Sequence, residues 1–337
     1  METVFQSEME IRPNGPSFSL DCTRFFEDVK EEIQREEKCH PEGRINRKHP
    51  LQWILNSTSA GYLSSTVIKG FLSCPANYVY EKTVPYNPSS AASVGTSFHK
   101  IMEEFYSLEP EERDESHLDL LRDEVIKENG EEAERPLIQE DLDGYFAAKD
   151  YLTGAPMDHK SLICDTEKFF RVYLNPLGAS FAKPAYCLLD RLDYREDGNL
   201  YIIDYKTSAT AGNPTETSLG INGYLPQLIF YKWAVEQKLG REVEAVMICA
   251  PTADEEHKYS KVDVNSLESQ RQVIEQVREF EREAEKAHET NLFHGCDRPY
   301  CQTCRKIREK LRNHHPVLPV EIKFDAEEYW TQETASL

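Results

Sequence analysis

From Ser64 the chain reads STVIKGFLSCPANYVYEK, with Val67, Phe71 and Tyr78 recurring at helical spacing. Pro75 interrupts this run, because a proline ring cannot follow a helical turn without a clash, so the pattern predicts two helical pieces. The next stretch, SVGTSFHKIMEEFYSL, sets Phe98, Ile101, Met102 and Phe105 on one face and predicts a further helix. After it the period changes. EKFFRVYLN, YCLLDRLDYR and NLYIIDYKTS are rich in Tyr, Ile, Leu and Val and are bounded by Pro176, Gly178, Gly198 and Gly212, which predicts strands. A helix over 222–240, a short apolar strand EAVMICAP, a long polar helix over 266–288 and a basic helix RKIREKLRN complete the order. That succession implies an α/β fold with a mixed central sheet flanked by helices. Residues 1–60, broken by Pro13, Pro16, Pro41 and Pro50 and carrying one amphipathic helix near 25–37, read as an N-terminal extension. A domain over 61–312 and a C-terminal tail over 313–337 follow.

Charge complicates the picture. The 337 residues carry 39 Lys plus Arg against 60 Asp plus Glu, a net charge of −21, which repels a polyanion unless basic groups are gathered in one place. The excess is uneven. Residues 103–141 hold sixteen acidic and four basic side chains, and read as an acidic helical insertion with a solvated face. No run of eighteen apolar residues occurs and the N-terminus has neither a basic nor an apolar leader segment, so no membrane partner and a cytoplasmic location are expected. Nine cysteines in such a chain are expected to be free thiols. Three of them, Cys296, Cys301 and Cys304, lie close together; Cys74 offers a fourth thiolate, and four thiolates suit either tetrahedral zinc or a 4Fe-4S cluster. Cys164, Cys187 and Cys249 sit in apolar runs and read as small core residues.

The sharpest local pattern is Asp204-Tyr205-Lys206 at the end of an apolar strand. Alternate side chains of a strand share a face, so Asp204 and Lys206 lie together and Tyr205 opposite. A carboxylate there can bind a divalent cation, and the lysine can hold a water or offset charge on a phosphate. The preceding strand carries Asp190, and the turn between them contains Asp197-Gly198. A three-residue loop, Glu196-Asp197-Gly198, pairs Arg195 with Asn199 and sets Asp190 directly across from Asp204; a two-residue loop would turn Asp190 to the other face. His99 is a candidate third ligand. Gln227 and Tyr231, four apart on a helix, share a face.

The order GTSFH, LLDRLD, IIDYKTS, QLIFY resembles the RecB-like branch of the PD-(D/E)xK nucleases over about residues 64–310. The resemblance implies a restriction-endonuclease-like core in which His99, Asp190, Asp204 and the carbonyl of Tyr205 bind Mg2+ or Mn2+. It further implies that Lys206 orients the attacking water, that Gln227 and Tyr231 line the DNA-facing side, and that Glu167 acts from an outer shell. A Cys-Pro motif upstream of the histidine and three cysteines after the core are similar to the iron-sulfur exonucleases of that branch, which include AddB-type and CRISPR-adaptation enzymes and related phage proteins. This implies a 4Fe-4S staple on Cys74, Cys296, Cys301 and Cys304, in preference to zinc, although the wider cysteine gap comes first here. The implied activity is a metal-dependent DNA exonuclease of recombination or repair, acting on single-stranded ends with 5'-to-3' polarity. A structure-specific endonuclease and a non-catalytic metal-stapled DNA-binding subunit are the alternatives. The basic residues of 298–312, above all Arg305, Lys306 and Arg308, are expected to face the DNA. No helicase or recombinase partner is specified, and the cytoplasm is the host's if the chain is viral.

Overall fold

The computed structural model of the protein describes residues 2–14, 17–39, 43–45, 49–58, 61–83, 90–122, 139–154, 162–207, 219–251, 253, 258–325 and 330–332. In chain order the elements begin with strands β1 (Glu2–Asn14) and β2 (Ser17–Asp21), helix α1 (Thr23–Cys39), strand β3 (Gly43–Ile45) and helices α2 (Pro50–Thr58), α3 (Ser65–Ser73), α4 (Pro75–Glu81) and α5 (Ser90–Ser107). Helix α6 (Gln139–Gly154) leads into strands β4 (Ile163–Val172), β5 (Ala185–Tyr194) and β6 (Leu200–Tyr205). Then come helix α7 (Leu225–Leu239), strands β7 (Val243–Cys249) and β8 (Tyr259–Val262), helix α8 (Leu267–Thr290), strand β9 (Leu292–His294), helix α9 (Gln302–Arg312), and strands β10 (Val317–Asp325) and β11 (Trp330–Gln332). The contacts divide the chain into two units, Asn87–Glu275 and a second that joins Met1–Tyr86 to Gln276–Leu337.

The unit Asn87–Glu275 is built on a five-stranded sheet in the order β4-β5-β6-β7-β8. Its pairs are antiparallel except β6 and β7, which run parallel and are connected through α7. The sheet is therefore mixed and flanked by helices. Pro226 in the first turn and Gly240 in the left-handed conformation after the last residue bound α7. Nearly every side chain between Leu228 and Val235 is buried, as befits a helix that is covered on most sides. Helix α5 lays Phe98, Ile101, Met102, Phe105 and Tyr106 on a core shared with Tyr145, Ala148 and Tyr151 of α6 and with Ile203 and Tyr205 of β6. The two helices approach closely because Gly144 has no Cβ; one added there would lie 2.8 Å from Ser97 Cβ and 2.9 Å from the Val94 carbonyl oxygen. Of the acidic segment, the residues over 123–138 lie outside the described residues. Within the described part, Arg113 is buried and donates to the carbonyls of Leu108, Tyr106 and Leu162.

In the second unit, β10, β1, β2 and β9 form an antiparallel sheet in that order. Strand β1 buries Phe5, Ser7, Met9 and Ile11 in strict alternation, and β10 does the same with Leu318, Val320, Ile322 and Phe324. The segments that read from sequence as an extension and a tail thus pair with each other over Glu2↔Asp325 to Glu10↔Val317. Of the four prolines that suggested broken structure, Pro50 opens α2, Pro16 and Pro41 lie outside the described residues, and Pro13 fits a strand. Pro319 lies in β10, an edge strand, and Pro13 lies beyond the last residue of β1 that pairs with β10, where a missing N–H on that side costs no ladder bond. Helix α1 is amphipathic and buries Phe25, Phe26, Val29 and Ile33. The sequence reading of α3 and α4 holds: Ser64 caps α3, and Cys74 both ends α3 and caps α4.

One side chain in the first unit's core stands out chemically. Arg191 in β5 is fully buried, and its guanidinium donates to Asp193 Oδ1 at 2.7 Å, to Asp193 Oδ2 at 3.2 Å and to the Tyr205 hydroxyl at 2.8 Å. It also lies 4.4 Å from the centre of the Tyr106 ring. Removing one member strands the other charge. Arg191→Met should lower the unfolding free energy by about 3–5 kcal/mol, and the double variant Arg191→Met/Asp193→Leu should regain much of the loss. Denaturant midpoints of the single and double variants check this.

Candidate functional site

The three-residue loop determines the register that makes the site. The Arg195 N–H donates to the Asn199 carbonyl at 3.0 Å, and Gly198 takes the positive φ of 90° that closes the turn. The pairs then run Tyr194↔Leu200 to Arg191↔Ile203, and one further step places Asp190 across from Asp204. On the other side of β5, Thr166↔Arg191 and Lys168↔Leu189 place Glu167 across from Asp190. Asp190, in the middle of β5, therefore lies between Glu167 in the middle of β4 and Asp204 near the end of β6. Glu167 adopts φ of 44°, a left-handed conformation that disfavours a residue with a Cβ and that breaks the ladder at this position.

Helix α5 brings His99 to this row. Its Nδ1 is 3.5 Å from Asp190 Oδ1, and His99, Glu167 and Asp190 each offer a ligand atom within 4.8 Å of the others. Gly95, one turn earlier on the same face, makes the approach feasible, since a Cβ there would lie 2.8 Å from Thr207 Oγ1 just beyond β6. Asp190 Oδ2 accepts the Tyr205 N–H at 2.6 Å, so the carboxylate replaces a ladder partner at the end of β6. Asp204 is buried, and its Oδ2 is held by Lys206 Nζ at 2.5 Å. Tyr205 turns the other way, into the core with Phe98 and Tyr151, as the alternation requires. Gln227 Nε2 donates to the Tyr231 hydroxyl at 2.7 Å, and Lys206 Nζ lies 5.0 Å from the Tyr224 ring centre.

The electrostatics follow from crowding. Burial pushes the Asp204 carboxyl up to about 6, with Lys206 opposing and Asp190 adding to the rise. Burial and the neighbouring Asp190 also raise Glu167. Burial alone would lower His99 and Lys206, yet both stand above their ordinary values, because Asp190 favours the imidazolium and Asp204 the ammonium. Burial, then Asp204 and Asp190, raise the Tyr231 hydroxyl, which keeps it a proton donor. His99, Glu167 and Asp190 gathered at one point, with buried Asp204 beside Asp190, are a donor set of the kind a hard divalent cation takes. Arg191 and Glu167 are the residues the sequence reading undervalued. Arg191 anchors Tyr205 from below, and LLDRLD carried it in plain view next to Asp190.

The four cysteines meet within the other unit. Cys74, Cys296, Cys301 and Cys304 place their sulfurs within 4.8 Å of one another, with Cys74 and Cys304 3.3 Å apart and Cys296 and Cys304 3.8 Å apart. Cys74 caps α4 and accepts the Asn77 N–H, and Cys301 occupies the N-cap of α9, so two sulfurs sit where helix dipoles favour negative charge. The hydrogen bond from Cys304 holds the Cys74 thiol well below its ordinary value and raises Cys304. This donor set fits a four-thiolate metal centre. The basic residues of α9 are partly occupied. Arg308 donates to the Cys296 carbonyl and, at 3.2 Å, to Asp297, which steadies the cysteine loop; Lys306 Nζ bonds the Tyr80 hydroxyl at 2.9 Å; Arg305 is exposed. Cys187 and Cys249 are buried and Cys164 is half-buried, and burial raises all three. No described helix is long and apolar enough to cross a membrane.

Compared with models of known families, the chain matches the one described as the PD-(D/E)XK nuclease superfamily over residues 62–307. No curated protein matches it.

Asp204 should cost the metal-free fold stability. Its folded pKa of about 6 lies above the ordinary 3.8, so the fold favours the protonated form and loses stability as pH rises through that window. Asp204→Asn, which also removes the partner of Lys206, should therefore flatten the dependence of stability on pH between about 4 and 7 in EDTA. Thermal melts at the two pH values check this.

Proposed function

The chain belongs to the PD-(D/E)XK nuclease superfamily, and from that premise we propose that it is a metal-dependent deoxyribonuclease that degrades single-stranded DNA from its ends. The observation that carries the reading is the row Glu167, Asp190, Asp204 with Lys206 and His99 beside the end of β6. Nothing in a binding module requires Asp190 crowded against Glu167 on one side and buried Asp204 on the other. His99, Asp190, Asp204 and the Tyr205 carbonyl are the residues that would hold Mg2+ or Mn2+. The ion, when bound, polarises the scissile phosphate and lowers the pKa of a coordinated water.

The chain's own groups supply the rest. Lys206, held by Asp204, keeps its proton, orients the attacking water and faces the charge that develops on the phosphate. Tyr231 and Gln227, already hydrogen-bonded to each other, present donors toward phosphate oxygens. Tyr205, clamped by Arg191 and packed edge-on between Phe98 and Tyr151, fixes the backbone that carries both Asp204 and Lys206. The exonuclease mode, the preference for single strands, the 5'-to-3' polarity and a place in DNA recombination or repair rest on the resemblance of GTSFH, LLDRLD, IIDYKTS and QLIFY to RecB-like enzymes.

For the cysteines two observations support two metals. The resemblance supports a 4Fe-4S cluster. The sulfur spacing supports a single tetrahedral ion such as zinc, because a cubane places an iron beneath each thiolate and spreads the sulfurs farther apart. Visible charge-transfer absorption that disappears in Cys301→Ala marks the cluster; one equivalent of zinc in colourless protein marks the ion.

The function is tested with end-labelled linear single strands, duplex and circular single strands in Mn2+. Linear single strands should be shortened, and His99→Ala, Asp190→Ala, Asp204→Ala and Lys206→Ala should each lose about 10²–10⁴-fold in rate. Cleaved circles would replace the exonuclease with an endonuclease. Undiminished activity in Asp204→Ala and Lys206→Ala would refute the site.

A further inference from the structure

The hairpin of β4 and β5 has a face that the core leaves uncovered. Along β5 the residues at 185, 187, 189, 191 and 193 are all buried, whereas Leu188 is 48 % exposed and Tyr186 is half-buried. Across from them on β4, Phe169 is 55 % exposed and pairs directly with Leu188, and Arg171 pairs with Tyr186. The side chains cluster. Phe169 and Tyr186 meet edge-on with ring centres 5.5 Å apart, and the Arg171 guanidinium lies 5.8 Å from the Tyr186 ring centre. An exposed apolar pair flanked by a cationic group on an aromatic ring is unusual as surface, since water gains nothing from Phe169.

Its position gives it a meaning. Residues 186, 188 and 190 alternate onto one side of β5, so this patch continues from the carboxylate Asp190 along a single strand. Strand rise puts Leu188 about 7 Å and Tyr186 about 13 Å from Asp190 along the chain. Those steps suit successive bases of an extended single strand whose scissile phosphate lies at the carboxylates. A ring on the protein can stack only on a base face that is open, and in a duplex those faces are closed by neighbouring pairs. Arg171 adds a cation for a phosphate or a base face.

We propose that Phe169, Leu188, Tyr186 and Arg171 form a stacking platform for unpaired bases of the DNA strand that enters the carboxylate site. The platform rests on the nuclease reading above, and it makes a separate demand: base faces, and not phosphates alone, hold the strand. It also gives a physical ground for preferring single strands that does not depend on long-range charge.

Fluorescence anisotropy in EDTA, where the strand is not cut, separates the two readings. Labelled dT20, an abasic oligonucleotide of the same length and a duplex are titrated with wild type, Phe169→Ala/Tyr186→Ala, and Tyr186→Phe. Wild type should bind dT20 at least tenfold tighter than the abasic strand, and the double variant should lose about tenfold or more on dT20 while its duplex affinity stays unchanged. Tyr186→Phe, which keeps the ring, should bind as wild type does. Equal affinity of wild type for dT20 and the abasic strand, or an unaltered dT20 affinity in the double variant, overturns the platform, and cleavage of DNA in Mn2+ by the same preparation would leave the nuclease reading standing. Both variants are at positions outside the buried core, and their circular dichroism spectra should match wild type.

Discussion

Three carboxylates forced side by side are the constraint to which the Asn87–Glu275 unit answers. Glu167, Asp190 and Asp204 come from three adjacent strands, and their repulsion has to be offset by groups the fold supplies. Lys206 faces Asp204, His99 faces Asp190, and the Tyr205 N–H gives Asp190 a hydrogen bond. Each of these depends on a local feature with little tolerance. The three-residue loop with Gly198 fixes which face Asp190 occupies, since one residue fewer would reverse it. Gly95 lets α5 come near enough for His99 to reach the row. Glu167 reaches it only by a left-handed backbone, a conformation that the neighbouring pairs on both sides must enforce.

Beneath the row lies a second polar layer that has no contact with solvent. Arg191 connects Asp193, the Tyr205 hydroxyl and the face of Tyr106, and the aromatic rings of Phe98, Tyr151 and Tyr205 pack edge-on around it. A buried ion pair is a weak source of stability by itself. Its use here is rigidity. Tyr205 lies between Asp204 and Lys206 in sequence, so whatever fixes its ring fixes the spacing of the two charged groups on the opposite side of the strand. The layer explains why an arginine follows Asp190 where an apolar residue would pack as well.

Much of this was legible in the sequence because it is local. Period and punctuation gave α3 and α4 with the break at Cys74-Pro75, the buried face of α5, the strands β5, β6 and β7, and the end of α7 at Gly240, though the helix starts at Leu225 and not at 222. The Asp190–Asp204 register followed from counting outward from Asp197-Gly198. What stayed hidden was long-range. The alternation of Phe5, Ser7, Met9 and Ile11 is as regular as any in the chain, but its partner is a segment some three hundred residues away, and four prolines nearby suggested irregular structure. Nothing in the residues around Glu167 announces a positive φ, because that conformation is imposed by β5 and has no propensity of its own. Arg191 was visible as a letter and invisible as a buried anchor, since charge in a strand normally signals a solvent face.

The net charge of −21 then takes on a different sense. More than half of it falls within residues 103–141, and among basic groups on α9, Arg308 and Lys306 are engaged by the cysteine loop and Tyr80. A protein so charged gains little from long-range attraction of phosphate, which is the part of DNA affinity that salt removes. In the proposed reading, affinity for DNA comes from terms that act at contact. One is neutralisation of the carboxylate row by a cation, which lets a phosphate approach it. The other is stacking of bases on exposed rings, which is indifferent to the sign of the field. Both are short-ranged, so on that reading they favour substrate already lying against the carboxylate row over substrate drawn in from a distance.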